Sequence, residues 1–188
     1  MHKELPNIYH FIDRLDIKSI SSFDKKIAFI YRNYIAEPNV KEIINFKNFC
    51  KKTNRIFIMS NNIDLVLKFE LDGIYIPSFN KKINHKKNIY KKKIIVIGSA
   101  HSLMEIKIKE KQNVDQIFIA PIFKTNKSVN NLDIIKFNLL IKHTNKPIIA
   151  LGGINKSNIK KLRMLNIVGL ASISYLKENK KISRLVIW

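Results

Sequence analysis

The chain has 188 residues, 46% of them hydrophobic, one cysteine and a formal charge of +21. That much apolar content excludes a disordered chain, and a single cysteine, Cys50, excludes an internal disulfide. No apolar run approaches the roughly 18 residues of a membrane helix, and "MHKELPNIYHFID" lacks an apolar signal core. A cytoplasmic protein built as one domain over residues 1–188 is the expectation.

Apolar runs rich in Ile, Val and Phe recur along the chain. They are Asn7–Ile12, Ile27–Tyr31, Arg55–Met59, Gly73–Pro77, Ile94–Ala100, Gln116–Ile122, Pro147–Gly153 and Gly169–Leu176. Each is continuous rather than alternating, as strands buried on both faces are. Helical patterns lie between most of them: Val40–Asn54, Asn62–Asp72, Ser102–Asn113, Asp133–Thr144 and Ser157–Asn166. Ser102 is the expected N-cap of the third, with Glu105 at capping-box spacing. The connection Asp13–Lys26 is short, Asn80–Lys93 is polar, and the tail Lys180–Trp188 reads as one or two helical turns. Eight strands alternating with crossovers predict an α/β fold: a compact (β/α)8 TIM barrel with trimmed helices, or an open doubly wound sheet as the structural alternative.

In either architecture ligands gather at the carboxyl ends of the strands. In this chain those ends carry Arg32, Ser60 to Asn62, Asn80, Ser99, His101, Thr125, Lys127, Gly152, Gly153 and Ser172 to Ser174. The set is neutral or cationic, which suits an anion and does not suit a metal cage or a carboxylate acid/base pair. Arg32 ends a buried run, where an unpaired guanidinium is costly, so it is a candidate for diphosphate or carboxylate binding. Two of the five glycines, Gly152 and Gly153, sit together between a strand and a helix. They read either as a plain turn or as a phosphate cradle facing the loop after the eighth strand. The histidines show no ligand spacing, and His101 reads as a loop or ligand residue.

The charge raises a nucleic-acid reading, but the excess is scattered lysine. Its densest runs, Lys81–Lys93 and Lys177–Lys181, hold few aromatics on which bases would stack. Phosphorylated small molecules are the expected partners, with nucleic-acid binding kept as an alternative function.

"YRNY", "DGIYIPS", "GSAHSLMEI", "APIFKT" and "ALGGI", in this order and spacing, resemble the thiamine-phosphate synthase family, including its thiazole tautomerase (TenI-like) branch. The resemblance covers about Ile8 to Leu176 and implies an eight-stranded barrel. It implies a transferase that joins hydroxymethylpyrimidine diphosphate to thiazole phosphate, releasing pyrophosphate, with magnesium as cofactor. A homo-oligomer follows from the resemblance alone. By the same resemblance Arg32 and Ser99 handle the diphosphate. Thr125, Gly152, Gly153, Ile173 and Ser174 hold the thiazole phosphate, and Asn61, Asn80 and Lys127 complete the pyrophosphate site. The chain departs from the family pattern at several positions. A glutamine and a lysine flanking the arginine become Ile30 and Tyr34, and two metal-binding aspartates become Asn61 and Asn80. The family's "TxTK" reads "TNKS", and the tautomerase histidine falls at Pro121. The alternative within the family is a tautomerase-like isomerase or a phosphate-binding relative.

Overall fold

The computed structural model describes residues 4–36, 38–83, 94–126 and 130–181. Eight parallel strands close a barrel in chain order: β1 Ile8–Ile12, β2 Ala28–Tyr31, β3 Phe57–Ser60, β4 Gly73–Ile76, β5 Ile95–Ala100, β6 Gln116–Ile119, β7 Ile148–Leu151 and β8 Gly169–Ser172. The ring shuts where β8 pairs with β1, Leu170 beside Ile8 and Ser172 beside His10. The expected barrel is therefore the fold, and the open sheet is excluded.

Burial on both faces explains the continuous apolar runs, because each run splits into two alternating sets. One set fills the barrel: Tyr9, Phe11, Ile30, Ile58, Tyr75, Ile97, Phe118 and Ile149. Its aromatic rings meet at tilted or edge-on angles, with Phe11 5.2 Å from Tyr75 and Tyr75 5.7 Å from Phe118 between centroids. The other set, including Phe29, Phe57, Ile74 and Val96, packs under the helices.

Among the described residues six α-helices cover the outside: α1 Ile17–Ser21, α2 Val40–Lys52, α3 Ile63–Lys68, α4 Leu103–Lys111, α5 Asp133–Ile141 and α6 Ser174–Glu178. In α2 the Asn39 side chain caps the Lys41 N–H at 2.8 Å, and Ile43, Phe46 and Cys50 face the barrel. Ser102 caps α4 as expected, accepting from the Glu105 N–H, while the Glu105 carboxylate reaches the His101 N–H at 2.6 Å. Among the described residues no helix is long and apolar enough to cross a membrane.

Two elements differ from the sequence pattern. Ser157–Asn166 contains a 3-10 helix, Ile159–Met164, instead of an α-helix. Asn155 and Asn158 are the reason: the Asn155 carbonyl-amide oxygen accepts from the Ser157 and Asn158 N–H groups, and Asn158 returns a bond to the Asn155 N–H. Such local side-chain bonds compete with a regular helix start. The eighth run is strand only to Ser172, because the Ser172 hydroxyl accepts the Tyr175 N–H at 3.1 Å and starts α6. Most of the polar connection Asn80–Lys93, and the tail beyond residue 181, lie outside the described residues.

The amino-terminal end of the barrel is closed by structural polar groups. The Tyr9 hydroxyl donates to Gln116, whose amide donates to the Pro6 carbonyl at 3.0 Å. Asp72 and Asp115 accept the Phe57 and Val96 N–H groups. Arg55 donates to the Phe23 and Asp24 carbonyls at 2.8 and 2.9 Å. With those acids and that arginine spent on closure, chemistry is left to the opposite mouth.

Candidate functional site

Strand alternation carries the interior face upward from Ile30 to Arg32, from Ile58 to Ser60 and from Ile97 to Ser99. Arg32 lies over the Phe11 ring, its guanidinium carbon 4.6 Å from the centroid. Beside it the Tyr75 phenol feels both the Ser99 side chain and the Arg32 charge. Burial pushes this phenol up to about 12; the Ser99 side chain and the Arg32 charge pull the other way. Tyr75 stays a neutral hydroxyl at ordinary pH beside these two strand-end residues. Tyr75→Phe is expected to leave the fold within about 1–2 kcal/mol of wild type, the usual range for one buried hydrogen-bonding group. It should loosen Arg32, lowering kcat/KM by roughly tenfold, a cost of about 1.4 kcal/mol; steady-state kinetics and a urea melt check both.

Across the mouth, Gly152 and Gly153 have φ of +96° and +70°. They press against the loop after β6: a Cβ on Gly152 would lie 2.8 Å from the Pro121 Cα, and one on Gly153 2.4 Å from the Phe123 carbonyl oxygen. Hydrogen bonds fix this contact, with the Phe123 N–H donating to the Gly152 carbonyl at 3.1 Å and the Asn158 amide to the Gly153 carbonyl at 2.8 Å. Their carbonyls are used, whereas the Gly152 and Gly153 N–H groups find no acceptor among the described residues. The same loop carries Thr125, half-buried, two residues beyond Phe123. Because Leu151 pairs with Ala171, the glycines stand beside Ile173 and Ser174, both exposed at the rim. His10 steadies this side, its ring Nδ1 3.0 Å from the Ser172 carbonyl; burial pushes the imidazole down to about 4, so it is neutral and donates.

The third group lies above β3 and β4. Asn61 and Asn80 meet: the Asn80 Nδ2 donates to the Asn61 Oδ1 at 2.7 Å. Asn80 Oδ1 in turn accepts the Lys82 N–H at 3.0 Å. Each amide oxygen is thus already engaged by an N–H, and neither side chain carries charge. No group of three or more His, Cys, Asp or Glu that could hold a metal occurs among the described residues. A magnesium ion bound with diphosphate wants carboxylate oxygens, so these residues do not fit it. Next to the pair, the Tyr34 hydroxyl hydrogen-bonds Ser60 at 2.9 Å, and its ring meets Phe79 edge-on.

Lys109 of α4, 0% exposed, holds the Asn80 loop from below. Its ammonium donates to the carbonyls of Pro77 and Asn80 at 2.8 and 2.9 Å and to Gln112 Oε1 at 2.9 Å. Gln112 adds bonds to the Asn80 and Lys82 carbonyls. Burial pushes the ammonium from 10.5 down to about 8, partly opposed by Glu105. Below pH about 8 the folded chain bears a charging cost that the unfolded chain does not. That cost fades as pH rises towards 10.5, so wild type should gain stability over this window relative to Lys109→Met. Urea melts of both proteins at the two ends of the window measure the difference.

The fold therefore gathers Arg32 with Ser99, Gly152 and Gly153 with the Thr125 loop, Ile173 and Ser174, and Asn61 with Asn80. Lys127 lies outside the described residues. His101 bonds the Ala120 carbonyl through Nδ1 at 2.6 Å and so ties β5 to the loop after β6. Sequence reasoning missed Tyr75, Lys109 and Gln112. Strand alternation was the available signal for Tyr75; Lys109 sits in a lysine-rich helix and gave none.

The profile of the family described as thiamine monophosphate synthase (TMP-TENI) matches residues 27–176. A thiamine-phosphate synthase of Prochlorococcus marinus is 33% identical over 137 residues, 72% of this chain and 40% of that protein. One from Fusobacterium nucleatum is 23% identical over 171 residues, 90% of this chain and 83% of that protein. The chain spans less than half the length of the Prochlorococcus relatives it matches. A solved thiamine phosphate pyrophosphorylase from Pyrococcus furiosus superposes with a TM-score of 0.74 at 19% identity, covering 97% of this chain and 92% of that one, which speaks for the fold alone. The match over residues 27–176, together with the barrel it presupposes, means that this chain belongs to the thiamine monophosphate synthase family.

Proposed function

We propose that the chain is a transferase that joins hydroxymethylpyrimidine diphosphate to thiazole phosphate, forming thiamine phosphate and pyrophosphate. The observation that carries this reading is the pair of anion-suited centres at one barrel mouth. Arg32 with Ser99 stands above β2 and β5, and the Gly152 and Gly153 N–H groups, without an acceptor among the described residues, stand above β7.

In this reading the thiazole phosphate rests on the Gly152 and Gly153 N–H groups, with Thr125, Ile173 and Ser174 around it. The diphosphate lies against Arg32, Ser99, Asn61 and Asn80, with Lys127 as a further cation. The carbon–oxygen bond of the pyrimidine methylene breaks, and its electrons leave on pyrophosphate. The thiazole nitrogen then donates its lone pair to the same carbon. Arg32 is worth most where the leaving charge develops, and the aromatic floor of Phe11 and Tyr75 keeps bulk water from that charge. The protein otherwise contributes positioning. No step runs through a resident magnesium ion, because the residues above β3 and β4 do not fit one. We take the chain as one barrel domain over residues 1–188, acting in the cytoplasm on phosphorylated small molecules.

Incubation with both substrates, followed by separate detection of thiamine phosphate and pyrophosphate, tests the reading. Equal amounts of the two products are expected. Absence of thiamine phosphate at high protein concentration would reject it.

A further inference from the structure

We propose that the Asn61–Asn80 pair binds the diphosphate directly through its amide N–H groups, with no divalent metal between protein and anion. This rests on the transferase reading above.

Three observations carry the inference. First, the hydrogen bonds orient the pair. Asn61 Oδ1 accepts from Asn80, and Asn80 Oδ1 accepts from the Lys82 N–H, so both hard-cation donors are engaged. The Asn61 NH2 group, at the exposed rim, has no partner among the described residues, and one Asn80 N–H remains as well. What the pair offers is therefore donors, which suit phosphate oxygens. Second, the Lys109 ammonium lies directly under the same loop, 2.9 Å from the Asn80 carbonyl. A fixed positive charge there repels a second cation and attracts an anion. Third, the side chains packed beside the pair carry no negative charge: Ser60 is hydrogen-bonded to Tyr34, Tyr34 packs on Phe79, and Lys81 and Lys82 follow Asn80. No carboxylate is at hand among these residues to offset a divalent charge.

The pair is also held in place. Asn61 has φ of +56°, a left-handed conformation that asparagine tolerates, and its N–H donates to the Tyr75 carbonyl at 2.8 Å. Asn80 is fixed through its own carbonyl by Lys109 and Gln112. Donors held before the ligand arrives lose little on binding.

Equilibrium dialysis with radiolabelled inorganic pyrophosphate tests the proposal, once in chelator and once in excess magnesium. The wild-type Kd should differ by less than about threefold between the two conditions, under about 0.7 kcal/mol. The double variant Asn61→Asp, Asn80→Asp should bind at least about tenfold more weakly in chelator and regain affinity with magnesium. Circular dichroism reports whether that variant folds, and the wild-type arm stands without it. Wild-type binding that needs magnesium would overturn the inference and leave the transferase reading intact. Binding in neither condition would remove the inference together with the diphosphate half of that reading.

Discussion

Gly153→Ala is expected to lose thiazole phosphate binding by on the order of 100-fold, about 2.7 kcal/mol. Two costs combine. The backbone at φ +70° is left-handed, where a side chain costs roughly 1–2 kcal/mol. The new Cβ would also lie 2.4 Å from the Phe123 carbonyl oxygen and 2.5 Å from that of Lys124. Both are backbone atoms in a loop pinned by the Ile122 N–H on the Leu151 carbonyl and the Phe123 N–H on that of Gly152. The loop cannot give way without moving Thr125 and the glycine N–H groups together. Destabilisation of about 2–4 kcal/mol should lower Tm by roughly 5–15 °C in a chain of this size. Calorimetry with thiazole phosphate below the new Tm separates the local loss from unfolding. Pyrophosphate binding at the Arg32 side should survive in the same sample. An alanine variant that holds thiazole phosphate as tightly as wild type would show that the cradle is elsewhere.

Arg32→Ala should lower kcat/KM by about 100- to 1,000-fold, the usual effect of removing one preorganised group that stabilises developing charge. Stability should move by less than about 1 kcal/mol, because Arg32 is half-buried and packs on Phe11 from the mouth. Arg32→Lys restores the charge but not the planar fork that stacks on Phe11. It should recover less than about tenfold of the lost rate. An alanine variant within threefold of wild type would remove Arg32 from the chemistry.

All eight strands could be read from the sequence because parallel strands buried on both faces leave long runs of Ile, Val and Phe. The glycine pair was legible for a related reason: a glycine-poor chain placed two at a strand end. The final run misled beyond Ser172, since "SISYL" is as apolar as a strand, and only the Ser172 cap on the Tyr175 N–H shows the turn into a helix. Ser157–Asn166 misled because its helical spacing is real while its asparagines bond locally.

Within the site, single positions were legible and their partnerships were not. Tyr75 in "GIYIP" reads as one more core residue until β4 is set between β3 and β5. Asn61 and Asn80 lie far apart in sequence, and the pairing of Ser60 with Tyr75 brings them to one rim. Lys109 carries the helix's charge pattern but points inward, a placement that only the carbonyls of Pro77 and Asn80 explain.

A crystal structure with thiazole phosphate and pyrophosphate bound together tests the central claim most directly. The account predicts the thiazole phosphate on the Gly152 and Gly153 N–H groups, beside Thr125 and Ser174. It places the pyrophosphate against Arg32 and the amides of Asn61 and Asn80. Both anions bound outside this mouth, or a mouth that stays empty at saturating ligand, would contradict it.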